Sequence, residues 1–264
     1  MGPDDMKKSL CIEMFFTDVP FEERFRLAKG AGFDYIEFWS WMDKDIPRIK
    51  ELCHQHALGI ASFSGDQSLS LIDENQRTDY LRFVEESLEV AGFLGCENLV
   101  IHSNGLGDRG VVLNSYDHLS RLQKIEAMAE TLKGLARRAE KAKVSLLLEA
   151  LNTRVDHPGN FLSSTTQAAE LVGSVESRWI KILYDIYHMQ IMEGNIIDTL
   201  RNDMDRIGYI HIADVPGRHE PGTGEINFPN VMTALRELGY DGFVGFELSP
   251  LQEPGKAASL LLAL

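Results

Sequence analysis

Glu149, Asp185, His211 and Glu247 each close a short apolar run in the second half of the chain. The runs are Ser145-Leu146-Leu147-Leu148, Ile182-Leu183-Tyr184, Tyr209-Ile210 and Val244-Gly245-Phe246. Runs of this kind read as buried strands, where an acid must be paired or ligated because desolvating it alone is costly. Three carboxylates and one imidazole at four strand ends match the donor set of a single divalent cation. Mn²⁺, Mg²⁺ and Co²⁺ suit it better than a structural zinc, which favours thiolates and histidines in a closed tetrahedron. Three anionic donors leave such a centre net negative. It therefore keeps open positions for a neutral, oxygen-rich substrate, or is offset by nearby cations.

The flanking residues extend the constellation. His188 follows Asp185 by three positions and lies just beyond its strand, within reach of the same cavity. His102 ends Leu99-Val100-Ile101 on the same side and is expected to touch substrate. After His211, the stretch from Asp214 to Asn227 is broken by prolines and glycines, which makes it a long loop over the site. It carries Arg218, a fixed guanidinium suited to a substrate carboxylate or a hydroxyl network. Glu13, read as part of the first strand, and Trp39, on the second, are candidate pocket walls.

These side chains need a scaffold that sends strand ends to one point. Eight strand candidates are found at Leu10–Phe15, Tyr35–Trp39, Gly59–Phe63, Asn98–His102, Ser145–Asn152, Lys181–Asp185, Tyr209–Ala213 and Phe243–Leu248. Most are near-continuous apolar runs, as parallel strands covered on both faces require. Helical patterns alternate with them at Phe21–Lys29, Ile46–His56, Thr78–Leu94, Leu119–Lys141, Thr165–Val172, Ile196–Met204 and Phe228–Leu238. Several end in glycine before the next strand, at Gly30-Ala31-Gly32, Gly95 and Gly239, where a left-handed cap is expected. This rhythm predicts an α/β fold, a single (β/α)8 TIM barrel spanning residues 1–264. A doubly wound open sheet is the alternative, but Glu13-Met14-Phe15-Phe16-Thr17 is no glycine-rich phosphate loop. The last helical stretch, Lys256–Leu264, is short and ends Leu260-Leu261-Leu262-Ala263-Leu264, an apolar end that could close the barrel or meet another subunit.

Composition bounds the partners. A net charge of −14 excludes a broadly cationic face, so no nucleic acid or anionic membrane is expected as a partner. The three cysteines, Cys11, Cys53 and Cys96, have no metal-type spacing and read as buried free thiols in a cytoplasmic protein. No apolar run reaches membrane-span length, and Met1–Lys8 lacks a signal peptide's apolar segment. Met6 can serve as a start, which would make residues 1–5 an expression remnant.

Four segments carry a resemblance to a known family. They are Leu147-Leu148-Glu149-Ala150-Leu151-Asn152-Thr153-Arg154, Asp185 through Asn195, Val215 through Asn227, and Gly239-Tyr240-Asp241-Gly242-Phe243-Val244-Gly245. Through them the chain resembles the hydroxypyruvate isomerases, within the wider group of xylose-isomerase-like barrels that includes ketose 3-epimerases. The resemblance implies that Glu149 and Glu247 are both metal ligands and acid/base catalysts, with Asp185 and residue 211 completing the shell. It also implies that His188 and Arg218 contact substrate, a small hydroxy-keto acid or sugar, and that the protein is a homo-oligomer, a dimer or tetramer. Hydroxypyruvate isomerases resembling this chain usually carry Gln where it has His211, whereas the 3-epimerases carry His. An isomerase-like frame is thus joined to an epimerase-like metal shell.

The chemistry that fits is proton transfer beside a carbonyl through an enediolate, assisted by a divalent ion and two glutamates from opposite sides of the barrel. Return of the proton to the adjacent carbon interconverts aldose and ketose forms, while transfer across the substrate plane epimerises. A phosphodiesterase on the same fold would require a histidine-rich multi-metal cluster and a basic face. A non-catalytic sugar binder would not need both glutamates.

Overall fold

Strands buried on both faces must satisfy their backbone groups with neighbours on each side, and a closed barrel does this without leaving an edge. The computed structural model describes residues 6–264; the reading of residues 1–5 as a remnant falls outside them. Its eight parallel strands are β1 (Lys7–Cys11), β2 (Tyr35–Glu37), β3 (Gly59–Ser64), β4 (Asn98–Ile101), β5 (Ser145–Glu149), β6 (Ile180–Asp185), β7 (Ile207–His211) and β8 (Phe243–Phe246). They pair in chain order, and β8 returns to β1 with Lys7 opposite Phe243 and Leu10 opposite Phe246. The fold is the (β/α)8 barrel expected from the sequence.

The helices are α1 (Phe21–Gly30), α2 (Ile46–His56), α3 (Arg77–Leu94), α4 (Arg121–Ala142), α5 (Thr165–Val175), α6 (Ile186–Met192), α7 (Ile196–Asp203), α8 (Phe228–Glu237) and α9 (Pro254–Leu262). Their ends follow local chemistry. Asp45 caps α2 by accepting the Arg48 amide, and Ser120 and Gln123 form a reciprocal capping box at α4. Gly95 closes α3 in the left-handed region, as its position predicted.

Side chains divide between two layers of packing. Most apolar residues lie between the strands and the helices, in one continuous cluster. A smaller cluster, Ala61, Val100, Leu147, Leu183, Tyr209 and Phe243, fills the barrel's interior. Strand side chains alternate between faces, so residues two positions further on point into the barrel one layer higher. Glu149 follows Leu147, Asp185 follows Leu183, His211 follows Tyr209, and Glu247 follows Gly245 and Phe243. The apolar plug is therefore the floor of the site, and the four ligand candidates form the layer above it.

Three expectations change. The first strand ends at Cys11 rather than Phe15, because the Met14 and Phe15 amides turn back onto the Cys11 carbonyl, at 3.2 and 3.1 Å. Glu13 therefore lies beyond the strand. A helix absent from the sequence reading, α6, begins directly after Asp185, whose carboxylate caps it by accepting the His188 amide at 3.1 Å. His188 thus stands on a first helical turn, not in a loop. Finally, α9 buries Ala257, Ala258 and Leu261 against the barrel and leaves Leu260 exposed. Of that apolar end, Leu261 is buried and Leu262 and Leu264 pack partly against the core, so the segment helps to close the barrel. Among the described residues, no helix is long and apolar enough to cross a membrane.

Candidate metal centre and active site

The ends of β5, β6, β7 and the segment after β8 bring Glu149, Asp185, His211 and Glu247 together, with one donor atom of each within 4.8 Å of all the others. Asp185 and His211 are direct register partners across β6 and β7. His211 presents Nδ1 to the cluster, 3.4 Å from Glu247 Oε2, 3.8 Å from Glu149 Oε1 and 3.9 Å from Asp185 Oδ2. Two of the inward atoms, His211 Nδ1 and Glu149 Oε1, are buried and have no hydrogen-bond partner. Buried polar atoms left this way carry a free-energy cost unless something ligates them. A hard divalent cation meets that need with these oxygen and nitrogen donors. The donor set fits such an ion.

Each acid has its own environment. Burial pushes Asp185 upward, to about 7, with the Glu149 charge adding to the effect and Arg218 opposing it. Glu149 is also disfavoured by burial, yet His102 and His211 hold it well below the usual carboxylate range. Glu247 is lowered despite burial because the Arg218 guanidinium and His211 stand beside it. Asp185 thus holds its proton most readily, and an ion entering the cluster must displace it. Although burial works against its charge, Glu37, Glu149 and Glu247 hold His211 well above the ordinary histidine range, so it too must release a proton. Mn²⁺ affinity is therefore expected to rise with pH through and beyond 7 and to fall by about tenfold or more per pH unit below it. Calorimetric titrations at several pH values test this, and an affinity unchanged between pH 5.5 and 8 would contradict it.

The remaining sequence candidates sort into distinct positions. His102 is buried and bridges two carboxylates, with Nε2 3.2 Å from Glu149 Oε2 and Nδ1 3.0 Å from Asp66 Oδ1. Asp66 is fixed in turn by the His102 amide and the Tyr80 hydroxyl. Although burial works against its charge, Asp66 and Glu149 raise His102 to about 10. His102 therefore acts on Glu149, steering Oε2 away and leaving Oε1 for the cluster.

His188 Nδ1 lies 2.7 Å from the Asn152 amide nitrogen. The Asn152 carbonyl is occupied by the Val155 and Asp156 amides, which fixes its orientation. His188 must then accept at Nδ1 and carry its proton on Nε2, 3.5 Å from Asp185 Oδ2. Burial and Arg218 hold it well below the ordinary histidine range, so it is a neutral, buried donor beside Asp185. Trp39 is partly exposed and donates its indole N–H to Glu247 Oε1 at 2.7 Å. Glu13 is paired with Lys44 at 2.8 Å.

Arg218 sits on the loop after β7 and reaches back over the cluster. Its Nη2 pairs with Glu247 Oε2 and lies 3.5 Å from Asp185 Oδ2, while its plane packs on Tyr187 at 5.1 Å. Two buried acids build that loop. Asp214 accepts the amides of Val215, Gly222, Gly224 and Ile226 at 2.9 to 3.1 Å. Glu220 accepts those of Leu251 and Gln252, tying the loop to the one after β8. A side chain at Gly224 would collide with the Val215 carbonyl, so the loop closes only with glycine there. Asp214→Ala would strand four amides and is expected to cost about 2–4 kcal/mol. Thermal denaturation checks this, and an unchanged midpoint would contradict it.

Sequence reasoning missed Glu37, Asp66 and Asn152. Glu37 was hidden inside a strand run, though it follows Tyr35 as Glu149 follows Leu147. Asp66 and Asn152 lie in loops and carry no spacing signal. The three cysteines are free and buried, and burial raises each thiol, Cys53 and Cys96 to about 12. None is poised as a thiolate nucleophile.

Residues 25–263 match the family model described as xylose isomerase-like TIM barrel. The chain is 30% identical to the 2-oxo-tetronate isomerase of Pectobacterium atrosepticum, over 90% of each protein. It is 31% identical to the hydroxypyruvate isomerase of Escherichia coli, covering 93% of this chain and 94% of that one. Among solved structures, one named AP endonuclease, family 2, from Brucella melitensis superposes with a TM-score of 0.86 at 29% identity, over 98% of both chains. The chain belongs to the xylose isomerase-like TIM barrel family. Within that family it is an isomerase.

Proposed function

We propose that the protein is a metal-dependent isomerase of a small α-hydroxy carbonyl acid, interconverting hydroxypyruvate and tartronate semialdehyde or a close analogue in the cytoplasm. Glu149, Asp185, His211 and Glu247 would hold one divalent ion, with Mn²⁺, Co²⁺ and Mg²⁺ the best matches to three carboxylates and one imidazole. The observation that carries the reading is the convergence of those four donors beneath Arg218. Relatives named for hydroxypyruvate and 2-oxo-tetronate support the substrate class.

The C–H bond beside a carbonyl is too weak an acid for a carboxylate acting alone. When bound, the ion supplies Lewis-acid polarisation of the carbonyl and stabilises the negative charge that develops as that proton leaves. Glu149 and Glu247, from opposite sides of the mouth, then act as the base and acid. One takes the proton from the hydroxyl-bearing carbon, and a proton is delivered to the former carbonyl carbon. The substrate's hydroxyl proton moves to the other oxygen, so the two isomers balance. Arg218 holds the carboxylate, and His188 offers its Nε2 proton to a substrate oxygen.

His211 favours a second reading, a ketose 3-epimerase on a free sugar, in which the two glutamates work on opposite faces. Metal-loaded protein in D₂O, given hydroxypyruvate and separately fructose, tagatose and ribulose, distinguishes the two by NMR. Deuterium incorporation with tartronate semialdehyde formation is expected. Sugar epimerisation without keto-acid turnover would overturn the first reading in favour of the second. The net charge of −14 disfavours a phosphodiester substrate.

A further inference from the structure

Glu37 is a buried carboxylate with no part in the cluster of four, yet it lies in the same interior layer. Three hydroxyls converge on one of its oxygens. Tyr209 donates to Oε2 at 2.6 Å and Ser62 at 3.3 Å, while Ser9, with one proton to give, stands 3.1 Å from Oε2 and 2.7 Å from the Tyr209 oxygen. Its other oxygen, Oε1, has no hydrogen-bond partner, and neither does His211 Nε2. Those two atoms face each other at 3.3 Å. The imidazole thus stands between two sets of acids, with Nε2 toward Glu37 and Nδ1 toward Glu149, Asp185 and Glu247.

Space for this arrangement comes from Gly245, the register partner of both His211 and Ser9. A Cβ there would lie 2.6 and 2.8 Å from the two Glu37 oxygens and 2.8 Å from His211 Cδ2. Gly245 does not need a left-handed backbone; what it supplies is room. An imidazole offers a lone pair at one nitrogen only when the other holds the proton, so whatever accepts that proton chooses the ligating nitrogen and fixes the ring. Bulk solvent does not reach this pair, because both Glu37 and His211 are buried.

We propose that Glu37 is a positioning residue for the metal centre: it accepts the Nε2 proton of His211, fixes the tautomer that presents Nδ1 to the ion, and so sets metal affinity. Glu37, Gly245 and His211 form one matched unit, and the hydroxyls of Ser9, Ser62 and Tyr209 aim the carboxylate. This rests on the reading of the four-residue cluster as a metal site.

The test is a double-mutant cycle read by Mn²⁺ affinity, using equilibrium dialysis on purified full-length protein. The variants are Glu37→Gln, His211→Gln and the pair. Glu37→Gln is expected to weaken Mn²⁺ binding about 10–100-fold in the presence of His211. On the His211→Gln background it should have almost no further effect. Equal affinity in parent and Glu37→Gln would overturn the proposal. So would the same loss on both backgrounds, which would mark Glu37 as a packing residue. If Glu37→Gln fails to fold, Tyr209→Phe removes the strongest aim on Oε2 and should give a smaller loss, again only where His211 is present; no such loss would overturn the proposal. Failure of the metal-site reading shows separately, as a parent protein that binds no Mn²⁺.

Discussion

Glu149→Gln is expected to lower kcat by about 10²–10⁴-fold while leaving the fold intact, and Glu247→Gln to do the same. Glutamine keeps the shape and an oxygen donor but can neither take nor give the proton. Glu149 is prepared for that task by its surroundings. His102 engages Oε2 at 3.2 Å, and the buried Oε1 faces the cluster without a partner. Glu247 is framed from the other side by Trp39 and Arg218. Steady-state turnover, with circular dichroism as the control for folding, checks both variants. Either variant retaining activity within tenfold of the parent would remove that glutamate from the acid/base pair.

Arg218→Met should produce two effects of opposite sign. Loss of the guanidinium removes the only arginine paired with the cluster's acids among the described residues, so binding of an acidic substrate should weaken and KM rise by about 10–100-fold, the loss of a charge-assisted bond of roughly 1.5–3 kcal/mol. Mn²⁺ affinity should instead rise or hold, because a competing positive charge beside Glu247 and Asp185 is gone. A residue that merely braced the loop would weaken both. Titration of Mn²⁺ alongside kinetics with the keto acid separates the cases, and parallel losses would contradict the assignment of Arg218 to substrate.

Legibility in the sequence followed physical cost. The eight strands were visible because parallel strands covered on both faces must be apolar along their length, and the four ligand candidates stood out as acids and an imidazole where such runs stop. Glu37 in Tyr35-Ile36-Glu37-Phe38-Trp39 obeys the same logic, but the apolar residues on both sides of it give the run the pattern of a strand through to Trp39 and hide the acid inside. The strand ends at Glu37, and its pairing with β3 shifts register between Ile36 and Glu37.

Local boundaries were less legible because they depend on contacts distant in sequence. Ile12 through Phe16 has the composition of a strand, yet Phe16 takes a left-handed backbone and the chain turns there. Helix α6 is only seven residues long and starts inside the motif that carries Asp185 and His188, so no periodicity could reveal it. His102 was expected to touch substrate. Its two ring nitrogens are engaged by Asp66 and Glu149, and Asp66 comes from a loop whose position the tertiary fold alone determines. The long loop after β7 was legible from its glycines and prolines, whereas the four amides gathered by Asp214 were not.

One ion is proposed to sit among Glu149, Asp185, His211 and Glu247. Crystals soaked in Mn²⁺ and measured at the manganese absorption edge address it directly. One strong anomalous peak per chain is expected within coordination distance of those four side chains, and its loss in Asp185→Ala. A peak elsewhere, or none at the four-residue cluster, would contradict it.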